Sequence, residues 1–456
     1  MHLCKLLFSL ALVVLLAGCT VYSRKPLPEG PSLSRDISHI LIDSNAMPLP
    51  ELKAYPFDPT DGLDITEVAM LAVVNNPDLK LARDDCGIAR AQAFAAGLLP
   101  DPQLSITRDF PISGPSDSST AFNYGLSYDF LSLFTKGAAK KAAAAESDKT
   151  DLTLLWQEWQ VVAQARLFFI RNFEQNHLMK ILEKNRDLLA ARYDHAKKAL
   201  EDGNLTLDTA NADLAALQDA NRQIIELTRK NNQNRSDLNQ LLGIAPDLKL
   251  KLVGESSLPS LDEKRVKTNL PDLAKRRPDL LALKEGYESQ EQKYRKAVLE
   301  QFPALSISIS RARDTSNVNT IGFGITMNLP IFNRNRGNVA IERATRQRLH
   351  DEYEMRLNKA YSEISQLLAD QHLTERQLAE TAEGKTLLVK AADNADAAFK
   401  AGNIDESSYL TLRLALANKQ IEEINLEQLL LEQRVALQTL IGGELPVKLN
   451  SEEKNK

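Results

Sequence analysis

The sequence is written twice. Asn76-Pro77-Asp78-Leu79 returns as Arg277-Pro278-Asp279-Leu280, and Pro102-Gln103-Leu104-Ser105-Ile106 returns as Pro303-Ala304-Leu305-Ser306-Ile307, both at an offset of 201 residues (77 to 278, 102 to 303). Further on, Gly203-Asn204-Leu205 returns as Gly402-Asn403-Ile404, and Leu241-Leu242-Gly243 as Leu440-Ile441-Gly442, now offset by 199 (203 to 402, 243 to 442). A unit of this length far exceeds a solenoid repeat, so it reads as one architectural module duplicated and related by pseudo-symmetry. The first repeat spans residues 63–243 and the second 276–442, joined by a linker at 244–275 and followed by a tail at 443–456.

Residues 1–18 have the layout of a secretory signal: Lys5, an apolar run from Leu6 to Leu16, then small residues before Cys19. Leu16-Ala17-Gly18-Cys19 resembles the lipobox of bacterial lipoproteins, in which cleavage leaves Cys19 first and acylated; Thr20 after it fits sorting to the outer membrane. Cys4 leaves with the signal, so Cys86 remains alone and no intramolecular disulfide is expected. Within its helical pattern Cys86 reads as a small buried residue. Residues 19–62 carry seven prolines, from Pro26 to Pro59, which forbid a long helix and read as an extended tether leaving the lipid anchor.

The chain is 43% hydrophobic in composition with a net charge of −5, which suits a folded protein and gives no footprint for nucleic acid. After Cys19 no apolar run approaches the roughly 20 residues of a spanning helix. A membrane crossing by the mature chain would therefore need a β-barrel.

Helical patterns dominate each copy. A run from Thr66 to about Leu99 is interrupted at Pro77 and stopped at Pro100. Thr135 to Leu200 and Gly337 to Phe399 are Pro-free and rich in Ala, Leu and charge. About 65 residues of helix extend on the order of 100 Å, longer than an ordinary globular domain needs. Shorter helices follow the Gly-Asn turns, about Leu205 to Leu242 and Ile404 to Ile441. In each copy the two shorter stretches add up to one long helix, so end-to-end stacking of the short pair against the long one would make a two-ply rod. Stripes such as Leu214, Leu217, Ile224 and Leu227 are core seams on three- and four-residue steps.

Between the helices of each copy lie two segments of period two, at about 103–110 and 121–130, and about 304–311 and 319–329. Leu104, Ile106, Tyr124, Leu126, Tyr128 and Phe130, then Leu305, Ile307, Ile309, Ile321, Phe323, Ile325 and Met327, alternate with Ser, Thr, Gly, Asn and Gln. Alternation alone fits a soluble antiparallel sheet as well as a transmembrane wall of about ten-residue strands. The lipobox and the duplication favour the wall. Four strands cannot close a barrel, and open edges cannot lie in lipid, so closure requires more copies: two give eight strands, three give twelve.

Taken together, the Asn-Pro-Asp-Leu and Arg-Pro-Asp-Leu openings, Leu98-Leu99-Pro100-Asp101-Pro102, Leu329-Pro330-Ile331-Phe332-Asn333, the paired Gly-Asn turns and the closing glycines resemble the TolC-type outer-membrane channels, lipoprotein branch. The stretches around Pro100 and Pro330 look most like the heavy-metal efflux branch. The resemblance implies a mostly α protein with a transmembrane β-barrel contribution. It implies a homotrimer with a twelve-stranded barrel and a twelve-helix periplasmic tunnel, belted near residues 244–275 and after 443. A periplasmic adaptor and an inner-membrane pump would be its partners, with outer-membrane lipid around it and no nucleic acid. The turns Gly203-Asn204-Leu205 and Gly402-Asn403-Ile404 would form the adaptor-contact tip; simple left-handed turn residues are the plainer reading of both glycines. Well-known members carry aspartates six and nine residues after the second Gly, where this chain has Ser408 and Thr411; Asp405 and Glu406, one turn nearer the end, are the candidate gate.

The six histidines, at 2, 39, 177, 195, 350 and 372, show no paired metal-ligand spacing, and no nucleophile elbow or phosphate loop is present, so neither an enzyme nor a metal site is expected. No cofactor is expected beyond the lipid on Cys19. A lipid-anchored periplasmic scaffold without a pore is the alternative, and it leaves the four strands without a purpose.

Overall fold

The computed structural model describes residues 22–442 apart from 38, 39, 41, 114–117, 257 and 259–262. The signal, Cys19 and the tail at 443–456 lie outside the described residues.

Each copy contributes a helical entry, a hairpin, one very long helix and one shorter one. In the first copy these are α1 (Ile65–Asn75), α2 (Pro77–Ala96), β1 (Gln103–Asp109), β2 (Ala121–Asp129), α3 (Leu131–Glu201) and α4 (Leu207–Leu241). The second has α5 (Pro278–Leu299), β3 (Leu305–Arg313), β4 (Asn319–Met327), α6 (Arg336–Lys400) and α7 (Glu406–Ile441). The long helices α3 and α6 run for 71 and 65 residues. No helix among the described residues is long and apolar enough to cross a membrane.

Local chemistry sets the boundaries. Asp64 caps α1 by accepting from the Thr66 and Glu67 amides, and the Glu67 carboxylate accepts the Asp64 amide in return, a complete capping box. Asn76 ends α1 in extended backbone, and its side chain accepts the Leu79 amide at 2.9 Å to start α2, with Pro77 at the first helical position, where its missing N–H costs nothing. β2 passes into α3 with no Gly or Pro between them, so the long helix starts four residues before its Ala-rich part.

The helices pack as four plies. α3 touches α1, α2 and α4 on one flank, and α5 and α7 on the other; α5 and α7 in turn lie against α6. The short helices stack end to end, and the repeated motifs are the joints. Gly243, at φ +61°, ends α4 where an added Cβ would lie 2.6 Å from the Asn75 carbonyl oxygen. Asn75 and Asn76 then donate side-chain amides to the Leu242 and Leu241 carbonyls at 2.5 and 2.8 Å, satisfying the last turn of α4. Gly442, at φ +80°, meets the Arg276 carbonyl in the same way at the foot of α5. The Pro-Asp-Leu and closing Gly motifs are thus the two halves of one contact, made once per copy.

The second joint also encloses a charge. Arg277 is completely buried, and its guanidinium donates to both oxygens of Asp279 at 2.9 and 2.7 Å while lying 5.0 Å from the Trp156 ring of α3. Arg356 of α6 adds a third bond to Asp279 at 3.1 Å. Burial pushes the Asp279 carboxyl up, but the two guanidiniums outweigh it and hold it below its ordinary value.

The main apolar core sits at the level of these joints. Val68 to Val73 of α1 pack on Val161, Val162, Ala165 and Phe169 of α3 and on Leu238 and Leu242 of α4. The Pro-rich N-terminal segment belongs to this belt. Met47, Leu52 and Leu63 are fully buried there, and parallel bridges join Ser34 to Ile244 and Leu63 to Leu252. The extended backbone expected from its prolines is present. Its scattered Ile, Leu and Met side chains, Ile37, Ile42, Met47 and Leu52 among them, cover part of the belt's apolar surface.

Candidate functional site

Two regions stand out, one at each end of the helical layer. The first is the four-stranded antiparallel sheet in the order β1-β2-β3-β4. Registers such as Leu104↔Leu126↔Ile309↔Phe323 line up the apolar residues on one face. That face is bare: Leu104 is 68% exposed, Ile321 83% and Phe323 67%. An apolar face this open cannot be a packed core surface. The opposite face is small and polar. Ser105 lies across from Gly125, Ser310 from Gly322 and Ser308 from Gly324. The Ser105 and Ser308 hydroxyls donate to the carbonyls of the facing glycines at 3.3 Å, leaving a smooth surface with few long side chains.

The second region is the far end of the plies, where α3 turns into α4 and α6 into α7. Gly203 and Gly402 have φ of +75° and +73°, and an added Cβ would meet nothing within 4 Å at either. Their requirement for glycine is the left-handed backbone alone. The amides of Asn204 and Asn403 reach back to the carbonyls of Ala199 and Ala398 at 2.7 and 2.8 Å, the six-to-one bond of a Schellman turn. Gly203, Asn204, Gly402 and Asn403 are exposed, while Leu205 and Ile404 are half-buried and anchor the turns.

The candidate gate residues occupy the start of α7. Asp405 is its N-cap: the Ser408 amide donates to the Asp405 carboxylate at 2.7 Å and holds that carboxyl below its ordinary value. Thr411 donates its hydroxyl to the Ser407 carbonyl at 2.8 Å. Glu406 reaches across to α3, with its oxygens 2.6 and 2.8 Å from Nδ1 of His195. This contact, with no signal in local sequence, ties the second-copy turn to the first copy. Below it Phe399 stacks on Tyr409 at 4.9 Å, and Arg413 and Lys400 bind Asp396, holding its carboxyl down at about 2. The tip is therefore a pair of exposed turns on a braced base.

Cys86 is buried on α2. Burial pushes its thiol up to about 11, with the Asp151 carboxylate adding to the shift. Among the described residues, no group of three His, Cys, Asp or Glu is placed to hold a metal ion.

Residues 269–443, essentially the second copy, match the family model described as Outer membrane efflux protein. The cation efflux system protein CusC of Escherichia coli O6:H1 (strain CFT073) is 25% identical over 329 residues, covering 65% of this chain and 68% of that protein. The probable outer membrane lipoprotein SilC of Salmonella typhimurium is 22% identical over 406 residues, covering 82% of this chain and 84% of that protein. Among solved structures, the outer-membrane channel OprN superposes with a TM-score of 0.70 over 93% of this chain and 99% of its own, at 16% identity, a likeness in fold.

Proposed function

We infer that this chain is an outer-membrane efflux channel of the family its second copy matches, a passive duct from periplasm to exterior in a tripartite system. The first copy belongs to the same unit because it carries the same joint motifs.

The observation that carries the reading is a shared order. β1 follows α2, β2 feeds α3, β3 follows α5 and β4 feeds α6, and the helices lie side by side in that same sequence. Sheet and helical layer therefore end on the same two flanks, and one symmetry operation closes both. Three copies give twelve strands around a lumen and twelve helical plies beneath it. The bare apolar face then meets lipid, and the Ser, Gly and Thr face lines the pore. A pore-less scaffold would leave that apolar face in water.

In this assembly the lipid on Cys19 anchors the chain, and the turns at Gly203-Asn204-Leu205 and Gly402-Asn403-Ile404 meet a periplasmic adaptor, through which an inner-membrane pump supplies the energy. The kinship with CusC, named for cation efflux, favours a cation as cargo. Asp405, Glu406, Ser408 and Thr411 surround the narrow end, where Glu406 and Asp405 would each occur three times. Purified full-length protein in detergent is expected to run as a heat-resistant trimer and to conduct ions in planar bilayers. A water-soluble monomer without conductance overturns the reading.

A further inference from the structure

The apolar face of the sheet carries three cations and no carboxylate, and their placement is uneven. Period-two alternation puts Arg108, Arg311 and Arg313 on the same face as Leu104, Ile106, Ile309 and Phe323. The register gathers them in the last two rows before the hairpin loops: Ile106↔Tyr124↔Arg311↔Ile321 and Arg108↔Phe122↔Arg313↔Asn319. The strand acids Asp109 and Asp129 alternate onto the other face. Among the described residues no carboxylate pairs with any of the three arginines. The Arg108 guanidinium lies 4.7 and 5.3 Å from the Phe110 and Phe122 rings, and Arg313 Nε is enclosed without a hydrogen-bond partner.

Unpaired cations on a lipid-facing wall need a reason. An Arg is costly at the bilayer midplane of a barrel and close to neutral near the interface. All three stand at the loop end, remote from the helices, which in the channel reading is the outer leaflet. We propose that Arg108, Arg311 and Arg313 form a binding site for the phosphates of lipid A, the diphosphorylated glycolipid of the outer leaflet. Guanidiniums bind phosphate bidentately. Strand spacing puts Arg108 and Arg313 about 10 Å apart across the sheet, with Arg311 about 7 Å along from Arg313. Arg108 on one side and the Arg311–Arg313 pair on the other, at that separation, suit two phosphates at opposite ends of a disaccharide, while Leu126, Ile309 and Phe323, in the next row toward the helices, receive the acyl chains. A generic anionic phospholipid offers one phosphate and would engage one cluster only.

This inference rests on the channel reading, and the experiment separates the two. Detergent-purified trimers, wild type and the triple variant Arg108→Gln, Arg311→Gln, Arg313→Gln, are titrated with diphosphoryl lipid A, monophosphoryl lipid A and phosphatidylglycerol, with bound lipid counted by native mass spectrometry. Wild type is expected to bind diphosphoryl lipid A at least tenfold more tightly than the triple variant, with monophosphoryl lipid A between diphosphoryl lipid A and phosphatidylglycerol. Equal affinity of both proteins for diphosphoryl lipid A, or equal affinity of wild type for phosphatidylglycerol, overturns it. Should the triple variant fail to assemble, Arg→Lys at the same three positions keeps the charge but loses the fork, and is expected to weaken diphosphoryl lipid A selectively; unchanged selectivity overturns the site. Trimer formation and conductance in bilayers of phospholipid alone are measured on the same preparations. Their loss in wild type strikes the channel reading, and their presence without lipid A selectivity strikes only this proposal.

Discussion

Replacing Asp279 by Ala tests whether the repeated joint motif holds the helical layer together. The carboxylate is the only acidic partner of Arg277 among the described residues, and Arg277 is 0% exposed. Truncation leaves a guanidinium in the interior with Trp156 on one face and no counter-charge. Breaking a buried pair from one side costs about 3–5 kcal/mol, because the surviving charge is uncompensated. Unfolding entropy of about 2.1 cal/mol/K per residue gives roughly 1 kcal/mol/K for a chain of this length, so the melting temperature should fall by roughly 3–5 °C. If three chains unfold together, loss and entropy scale alike and the shift is unchanged. The assay is thermal unfolding of detergent-solubilised protein followed by circular dichroism. Arg277→Met combined with Asp279→Ala should recover more than half of the loss, since the pair is removed whole and the uncompensated charge goes with it. The pH dependence has a definite sign. The folded-state carboxyl of Asp279 is held below its ordinary value, so its contribution is full above about pH 4 and disappears as pH falls through the lowered value. Wild type and Asp279→Ala should therefore converge in stability toward acid. A single variant that melts within 1 °C of wild type at pH 7, or a double variant worse than the single, refutes the reasoning.

Gly203→Ala and Gly243→Ala both force a left-handed alanine, at roughly 1–2 kcal/mol, but only the second drives a Cβ to 2.6 Å from a backbone oxygen; Gly243→Ala should melt measurably lower, and equal melting temperatures would contradict the stacked joint. Cys86, buried with its thiol pushed up to about 11, should resist iodoacetamide at pH 8 in the folded protein and react once unfolded; rapid labelling of folded protein would contradict its placement. Asp405→Ala removes a helix cap worth about 0.5–2 kcal/mol, while Glu406→Ala removes the contact to His195; in single-channel recordings Glu406→Ala should change closure more than Asp405→Ala, and unchanged closure in both removes them as gate residues.

What could be read from the sequence is what repeats within about one turn of helix or two residues of strand. The alternation through Leu305, Ile307 and Ile309 exposes both faces of β3 at once, and the Gly-Asn pairs mark turns because few other residues tolerate φ near +75°. The remainder is tertiary. Nothing near Pro48 or Pro50 says that Met47 and Leu52 pack with α1 and α3, because proline sets backbone shape and says nothing of the surface it meets. Arg277 beside Asp279 looks like an exposed charge pair, and only the approach of Trp156 from the other copy makes it a buried one. His195 and Glu406 each read as solvated residues on helical faces; the order of the plies brings them together. The tip residues were legible as turns, while the bracing beneath them was not.

In the proposed channel, the matched order of strands and plies also bears on how many copies would close the ring. Twelve strands spaced about 4.8 Å apart and tilted about 40° span roughly 75 Å of circumference, whereas twelve helices spaced about 9 Å apart span roughly 110 Å. The helical ring is naturally the wider, so the chain must bend outward where sheet meets helix. Prolines stand at three of those four joints: Pro100 and Pro102 before β1, Pro303 before β3 and Pro330 after β4. The exception, between β2 and α3, is bridged by Asp129, whose carboxylate accepts the Leu131 amide at 2.9 Å and whose carbonyl accepts the Ser132 hydroxyl at 2.7 Å. Two copies would make an eight-stranded barrel, whose interior is filled by side chains. The Ser and Gly that line this sheet are too small to fill even that space and leave a channel in a wider one. In the proposed trimer the wider, twelve-stranded ring lined by residues this small would enclose an open lumen, and the small residues on the polar face are what that lumen requires.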